Sequence, residues 1–273
     1  MTPNDLISLK SWFSDYCKSF YSSDEEDQQN ISLKEAHTYN VCKNIVRIAG
    51  EESLSNNEIL LAEAVGLFHD VGRFLQYAKY RTFMDSLSVN HGLLGSEILS
   101  RERVLNNLPE SEQELIIQAV KFHNAFSIPD IGNPETILFL KLIRDADKLD
   151  IWRIFFGYYE KPLEDRPSAV GLGFPDVPEY SKEVLSLVLK KQLIPLSMLK
   201  TLNDFKLTKL SWIYDLNFGT SLRLVVENDY IDRLSATLPQ TDEIRKAVEF
   251  LHDYVKDRTD GQGLFYRCRT GRP

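Results

Sequence analysis

Apolar residues recur along nearly the whole chain at helical spacing, and the polar residues between them mark where helices begin. Ser32-Leu33-Lys34-Glu35 reads as a capping box, in which serine and glutamate satisfy each other's backbone donors, and predicts a helix running to Gly50. Ser55-Asn56-Asn57-Glu58 repeats the signature before Ile59 to Asp70, and Ser111-Glu112-Gln113-Glu114 does so before Leu115 to Asn124. Asn133-Pro134 sets a cap residue before a proline at the first helical position, predicting a helix through Asp147 to Tyr159. An amphipathic stretch, Asp5 to Tyr21, precedes this block. The acidic run Ser22-Ser23-Asp24-Glu25-Glu26-Asp27 between them reads as a solvated linker.

From Lys161 to Pro178 prolines and the sequence Gly171-Leu172-Gly173 interrupt the pattern, which marks a boundary or an active-site lid. Helical spacing resumes over Tyr180 to Lys191, Ile194 to Leu207, Leu210 to Leu234 and Thr241 to Lys256. The fold class is therefore all-α, in three parts: an N-terminal helix and acidic linker (1–30), a helical core (31–160), and a loop with C-terminal helices packing on that core (161–273).

Composition narrows the setting. The 273 residues are 43% hydrophobic and 26% charged, ordinary for a globular protein with a real core. The formal charge of -8 argues against a general nucleic-acid binder but leaves room for a local basic pocket. Without a membrane-length apolar run or a secretory-type start, the expectation is a cytoplasmic protein. Cys17, Cys42 and Cys268 are too far apart for a zinc ribbon and are expected to be reduced and structural.

The chemistry lies in the histidines. Four of the five, His37, His69, His91 and His123, fall in the first half, each in or beside a helix, with Asp70 next to the second and Asp147 downstream. The fifth, His252, is isolated and reads as a surface or core histidine. Imidazole and carboxylate together suit Mn, Fe, Co, Ni or Zn better than Mg or Ca. Adjacent residues on a helix point about 100° apart, so His69 and Asp70 reach one ion only where the helix frays or turns, and Gly72 is the expected stop.

The order His, His-Asp, His, His, Asp resembles the HD superfamily of metal-dependent phosphohydrolases, over roughly residues 30 to 155. The contexts that carry the resemblance are Phe68-His69-Asp70-Val71-Gly72-Arg73, His91-Gly92-Leu93-Leu94-Gly95, Phe122-His123-Asn124 and Ala146-Asp147-Lys148-Leu149. It implies an HD-type helical bundle in which His37, His69, Asp70 and Asp147 hold one divalent transition metal. In two-metal relatives Asp70 bridges to a second ion on His91 and His123, and a shared hydroxide attacks phosphorus. One-metal relatives leave His91 and His123 to bind phosphate. Asp145 and Asp150 compete with Asp147 on one helix, and are otherwise caps, ion-pair partners or acceptors orienting a ligand histidine.

Arg73, Arg144 and Lys148 are the candidate phosphate-holding cations, with Arg144 on the helix face of Asp147. Val71-Gly72 lacks the acid that deoxynucleotide monophosphatases and alarmone hydrolases place after the His-Asp pair. The Gly-Tyr-Pro signature of cyclic-di-GMP phosphodiesterases is missing too, Phe156-Gly157-Tyr158-Tyr159 being no substitute. The resemblance thus implies hydrolysis of a phosphoester or phosphoanhydride in a small phosphorylated substrate of nucleotide type, by a protein that is not membrane-bound and that could self-associate. Two other readings use the same residues: a di-iron oxygenase of HD fold, and a non-catalytic nucleotide-sensing or interaction domain. Against the last, buried unpaired ligands are costly to keep without an ion.

Overall fold

The computed structural model describes residues 1–159 and 173–269, whose regular elements are all helices, with no strand among them. They fall into two compact units divided at Leu172 and Gly173. Residues 161–172 of the expected lid lie outside the described residues, as does the Cys268 side chain. Among the described residues no helix is long and apolar enough to cross a membrane.

The first unit runs α1 (Pro3–Lys18), α2 (Glu25–Glu51), α3 (Asn56–Phe68), α4 (Val71–Tyr80), α5 (His91–Arg101), α6 (Glu110–Phe122) and α7 (Pro134–Tyr159). Helix α2 packs on both α3 and α7, and α5 is held between α4 and α6. Phe13, Ile45, Phe68, Phe74, Ile98, Ile116, Phe139 and Trp152 are almost fully buried between them. Two of the starts are those the sequence predicts. Ser55 caps α3 in a complete capping box with Glu58, and the Asn133 side chain accepts from the Glu135 and Thr136 amides at the head of α7.

Two others are corrected. Ser32 lies inside α2, which begins seven residues earlier, where Asp24 accepts from the Asp27 amide; Ser111 lies inside α6. The acidic run is consequently no linker. Glu25, Glu26 and Asp27 form the first turn of α2, where carboxylates offset the positive end of the helix dipole.

Gly72 is also corrected: it sits in the first turn of α4 and terminates nothing. Its work is close approach, because a Cβ there would lie 2.2 Å from the His91 carbonyl oxygen and 2.8 Å from the Gly95 amide nitrogen. At Gly92 a Cβ would stand 2.9 Å from the carbonyl oxygens of Val120 and Lys121. These two glycines let α5 touch its neighbours backbone to backbone, which draws His91 toward both Asp70 and His123.

The second unit holds α8 (Lys182–Leu189), α9 (Leu202–Ser211), α10 (Gly219–Glu227), α11 (Tyr230–Ser235) and α12 (Asp242–Arg269). The helix expected over Ile194 to Leu207 starts only at Leu202, because Thr201 and Asp204 form a capping box there. The expected Leu210 to Leu234 helix is broken by a 3-10 turn at Trp212–Asp215 and by Asp229 in the left-handed region. His252 is a surface residue whose Nε2 lies 2.9 Å from an Asp232 carboxylate oxygen.

Gly72→Ala forces α4 and α5 apart and is expected to cost at least about 2 kcal/mol, seen as a lowered Tm in thermal denaturation. An unchanged Tm would refute the contact. Cys17 and Cys42 are buried free thiols, the latter pushed up to about 12 by burial. Neither should react with an aromatic disulfide reagent at pH 8 until the chain is unfolded.

Candidate metal centre

Each of the sequence-predicted ligands is delivered by a helix or a helix end. His37 lies in the middle of α2. His69 closes α3 and Asp70 opens α4, and the break between the two helices (Asp70 φ -104°, ψ 14°) turns neighbouring side chains toward one place. His91 is the first residue of α5, behind the Asn90 cap, and His123 closes α6. Asp147 lies in α7, one turn before Asp150. His37, His69, Asp70, His91 and His123 are each no more than 4% exposed.

The two oxygens of Asp70 divide the histidines between them. Oδ2 is 3.5 Å from Nε2 of both His37 and His69, while Oδ1 is 3.3 Å from His91 Nε2 and 3.8 Å from His123 Nε2. Within each pair the nitrogens nearly touch, at 3.3 Å for His37 and His69 and 3.0 Å for His91 and His123. Asp147 joins the first pair, 3.1 Å from His37 Nε2 and 3.9 Å from His69 Nε2. Two buried triads capable of holding an ion result, His37-His69-Asp70 and Asp70-His91-His123, sharing one carboxylate.

The far side of every ring says which nitrogen is free. His69 Nδ1 is 2.7 Å from the Gly66 carbonyl oxygen and His123 Nδ1 2.8 Å from that of Val120, each one turn back along its own helix. His37 Nδ1 is 2.7 Å from Asp150 Oδ2, and His91 Nδ1 2.8 Å from Asp85 Oδ2. The partners of His37, His69 and His123 are acceptors only, and at His91 the Asp85 carboxylate is nearer than the Asn124 amide nitrogen at 3.2 Å, so the Nδ1 atoms carry the proton and a neutral ring presents its Nε2 lone pair inward. Lone pairs 3.0 to 3.3 Å apart cannot bond to each other and call for a cation between them. Nitrogen with carboxylate oxygen suits a divalent transition metal, so the residues present fit such an ion. The negative ends of α3 and α6 point the same way.

Burial presses the His69 and His91 pKa values down to about 4 and about 3, so both rings are neutral near pH 7. His37 goes the other way: burial and Lys34 lower it, but its hydrogen bonds to Asp147 and Asp150 outweigh them. For Asp70, burial opposes ionisation, yet Lys34, His69, His123 and Arg73 together hold the carboxyl well below its usual range.

Of the cations, Arg73 stands against the site, its Nε 3.4 Å from Asp70 Oδ1 and its Nη1 on Asp85 and the Phe83 carbonyl. Arg144 is directed at the carbonyl oxygens of His123, Ala125 and Phe126, and Lys148 at that of Arg144. Three participants escape the sequence reading. Lys34 Nζ is 2.7 Å from Asp70 Oδ2, one helical turn before His37, and that spacing could have revealed it. Gln76 lies one turn after Arg73 on α4 and donates to Asp85 at 2.9 Å, whereas Asp85, on a 3-10 turn, carries no periodic signal.

Residues 35–152 match the family model described as HD domain, a span that encloses all six candidate ligands. No curated protein and no solved structure matches the chain significantly. The buried His/Asp cluster lies within the matched span. The chain thus carries an HD domain at residues 35–152, the domain of a superfamily of metal-dependent hydrolases.

Proposed function

We propose that this domain hydrolyses a phosphoester or phosphoanhydride bond of a small phosphorylated substrate, a nucleotide being the class the resemblance implies. The observation that carries the reading is the Asp70 carboxylate set between two pairs of inward-facing imidazole nitrogens. His37, His69, Asp70 and Asp147 would hold one divalent ion and Asp70, His91 and His123 a second. When bound, such ions acidify water and offset charge on phosphoryl oxygens.

The chain's own groups do the rest. Lys34 and Arg73 flank Asp70 on opposite oxygens, and are the cations we assign to a phosphoryl group entering beside it. Arg144, aimed at the carbonyls of His123, Ala125 and Phe126, is assigned to fixing the turn that follows His123, while Lys148 donates to the Arg144 carbonyl within α7. Asp150 keeps the His37 ring in the orientation that turns its Nε2 inward.

Protein loaded with Mn, Co or Ni is expected to release phosphate or nucleoside from members of a nucleotide panel, and His69→Ala to lose at least about a thousandfold in kcat. A loaded protein inert across the panel, or a His69→Ala variant with the same turnover, would overturn the reading. Lys34→Met should lower kcat/KM by about 10- to 100-fold, the worth of one hydrogen bond to a charged group; steady-state kinetics read it.

Proton competition gives a third outcome. The His37 pKa is raised above 6.5, so the ring keeps its proton on the acid side of that value and an ion must expel it; His69 holds none until about pH 4. Affinity for the ion on His37 should therefore drop by about tenfold per pH unit below the His37 pKa. Calorimetric titration across that range checks it, a flat profile being the contrary result.

A further inference from the structure

The two halves of the centre are supported differently. On the first, the His37 ring is backed by Asp150, a residue of α7 itself, which Arg153 also grips at 2.6 Å. On the second, the His91 ring is backed by Asp85, which lies in the connection between α4 and α5, on a 3-10 turn of three residues. Asp85 receives more than the ring. Its Oδ1 accepts from Arg73 Nη1, Gln76 Nε2 and His91 Nδ1, each at 2.9 Å, and its Oδ2 from Asn124 Nδ2 at 3.0 Å. Four donors from α4, α5 and the end of α6 meet on one carboxylate.

From this geometry, and resting on the metal-centre reading above, we infer that Asp85 is the positioning residue of the second ion: it fixes the His91 tautomer and thereby makes the Asp70-His91-His123 triad competent, leaving the first triad untouched. The chemistry requires an acid at this position. An amide has the same shape, but one of its ends is itself a donor, and it would face Arg73, Gln76 and His91 at the Oδ1 position or His91 and Asn124 at the Oδ2 position. Facing such an amide, the His91 ring is driven to carry its proton on Nε2, the atom that points at His123 and Asp70, and a protonated Nε2 binds no ion. Nothing comparable happens at His37, which has no contact with Asp85.

The test compares the full chain with Asp85→Asn and Asp150→Asn, each loaded with Co(II) or Mn(II), with bound metal counted by elemental analysis and affinities by titration. Two ions are expected on the parent. Asp85→Asn should keep the first at parental affinity and bind the second about 10- to 100-fold more weakly, and Asp150→Asn should show the reverse order. Asp85→Asn retaining both ions at parental affinity, or losing both together, would overturn the inference. A second measurement stands apart from any metal: long-range 1H–15N spectra of the metal-free protein, which report the proton position on each ring. The parent should show His91 protonated at Nδ1, and Asp85→Asn should shift it toward Nε2 while His37 stays as it was. An unchanged His91 sinks the inference even if the variant binds less metal. Should the parent bind no ion, the metal-centre reading fails and these spectra still decide the role of Asp85.

Discussion

Four imidazole nitrogens with inward lone pairs surround the Asp70 carboxylate, with Asp147 against the first pair, in a space almost closed to water. In a low-dielectric interior such an arrangement of like dipoles and negative charge is unfavourable unless positive charge sits within it. The chain supplies positive charge from its own groups, Lys34 against one oxygen of Asp70 and Arg73 near the other. These stand where cationic partners of the carboxylate must be, so the core is built around a demand for positive charge. The folding of α2, α3, α4, α5, α6 and α7 about that point is the price of keeping the demand buried.

Packing meets the demand by means of helix ends. His69 and His123 each terminate a helix and return Nδ1–H to a carbonyl three residues back, so the same local device orients two rings without any distant partner. The break at Asp70 and the close approach of α5 through Gly72 and Gly92 convert separate helix ends into one cluster. Fold and site share a cause here. The contacts that exclude water from the core are the ones that bring His91 within 3.0 Å of His123.

Much of this is legible along the chain and some is not. The all-helical architecture follows from spacing, because helix faces are local properties of a sequence, and the candidate ligands follow from the family resemblance that the order of His and Asp residues carries. Ser32 misleads for the same reason: a capping box is a local signature, and Asp24 with its acidic first turn offers a helix start seven residues earlier. Gly72 reads as a stop because helix ends favour glycine, whereas its role is set by α5, some twenty residues away in sequence. Lys34 could be found by counting one turn back from His37. Asp85 could not, since a connection carries no period and its meaning comes only from the four donors that converge on it in space.

The unequal support of the two triads then acquires a functional sense. His37 is anchored from one core helix to another, α2 to α7, so the first triad keeps its shape for as long as the unit is folded. His91 is anchored to a connection, whose backbone is freer to shift than a helix interior. Arg73 touches Asp85 with Nη1 and, with Nε, the Oδ1 of Asp70 that faces His91 and His123, so the Asp85 turn is linked to the second triad by a guanidinium as well as by the His91 ring. The centre has one half fixed by the core and the other set by a turn, and Arg73 sits on the link between that turn and Asp70.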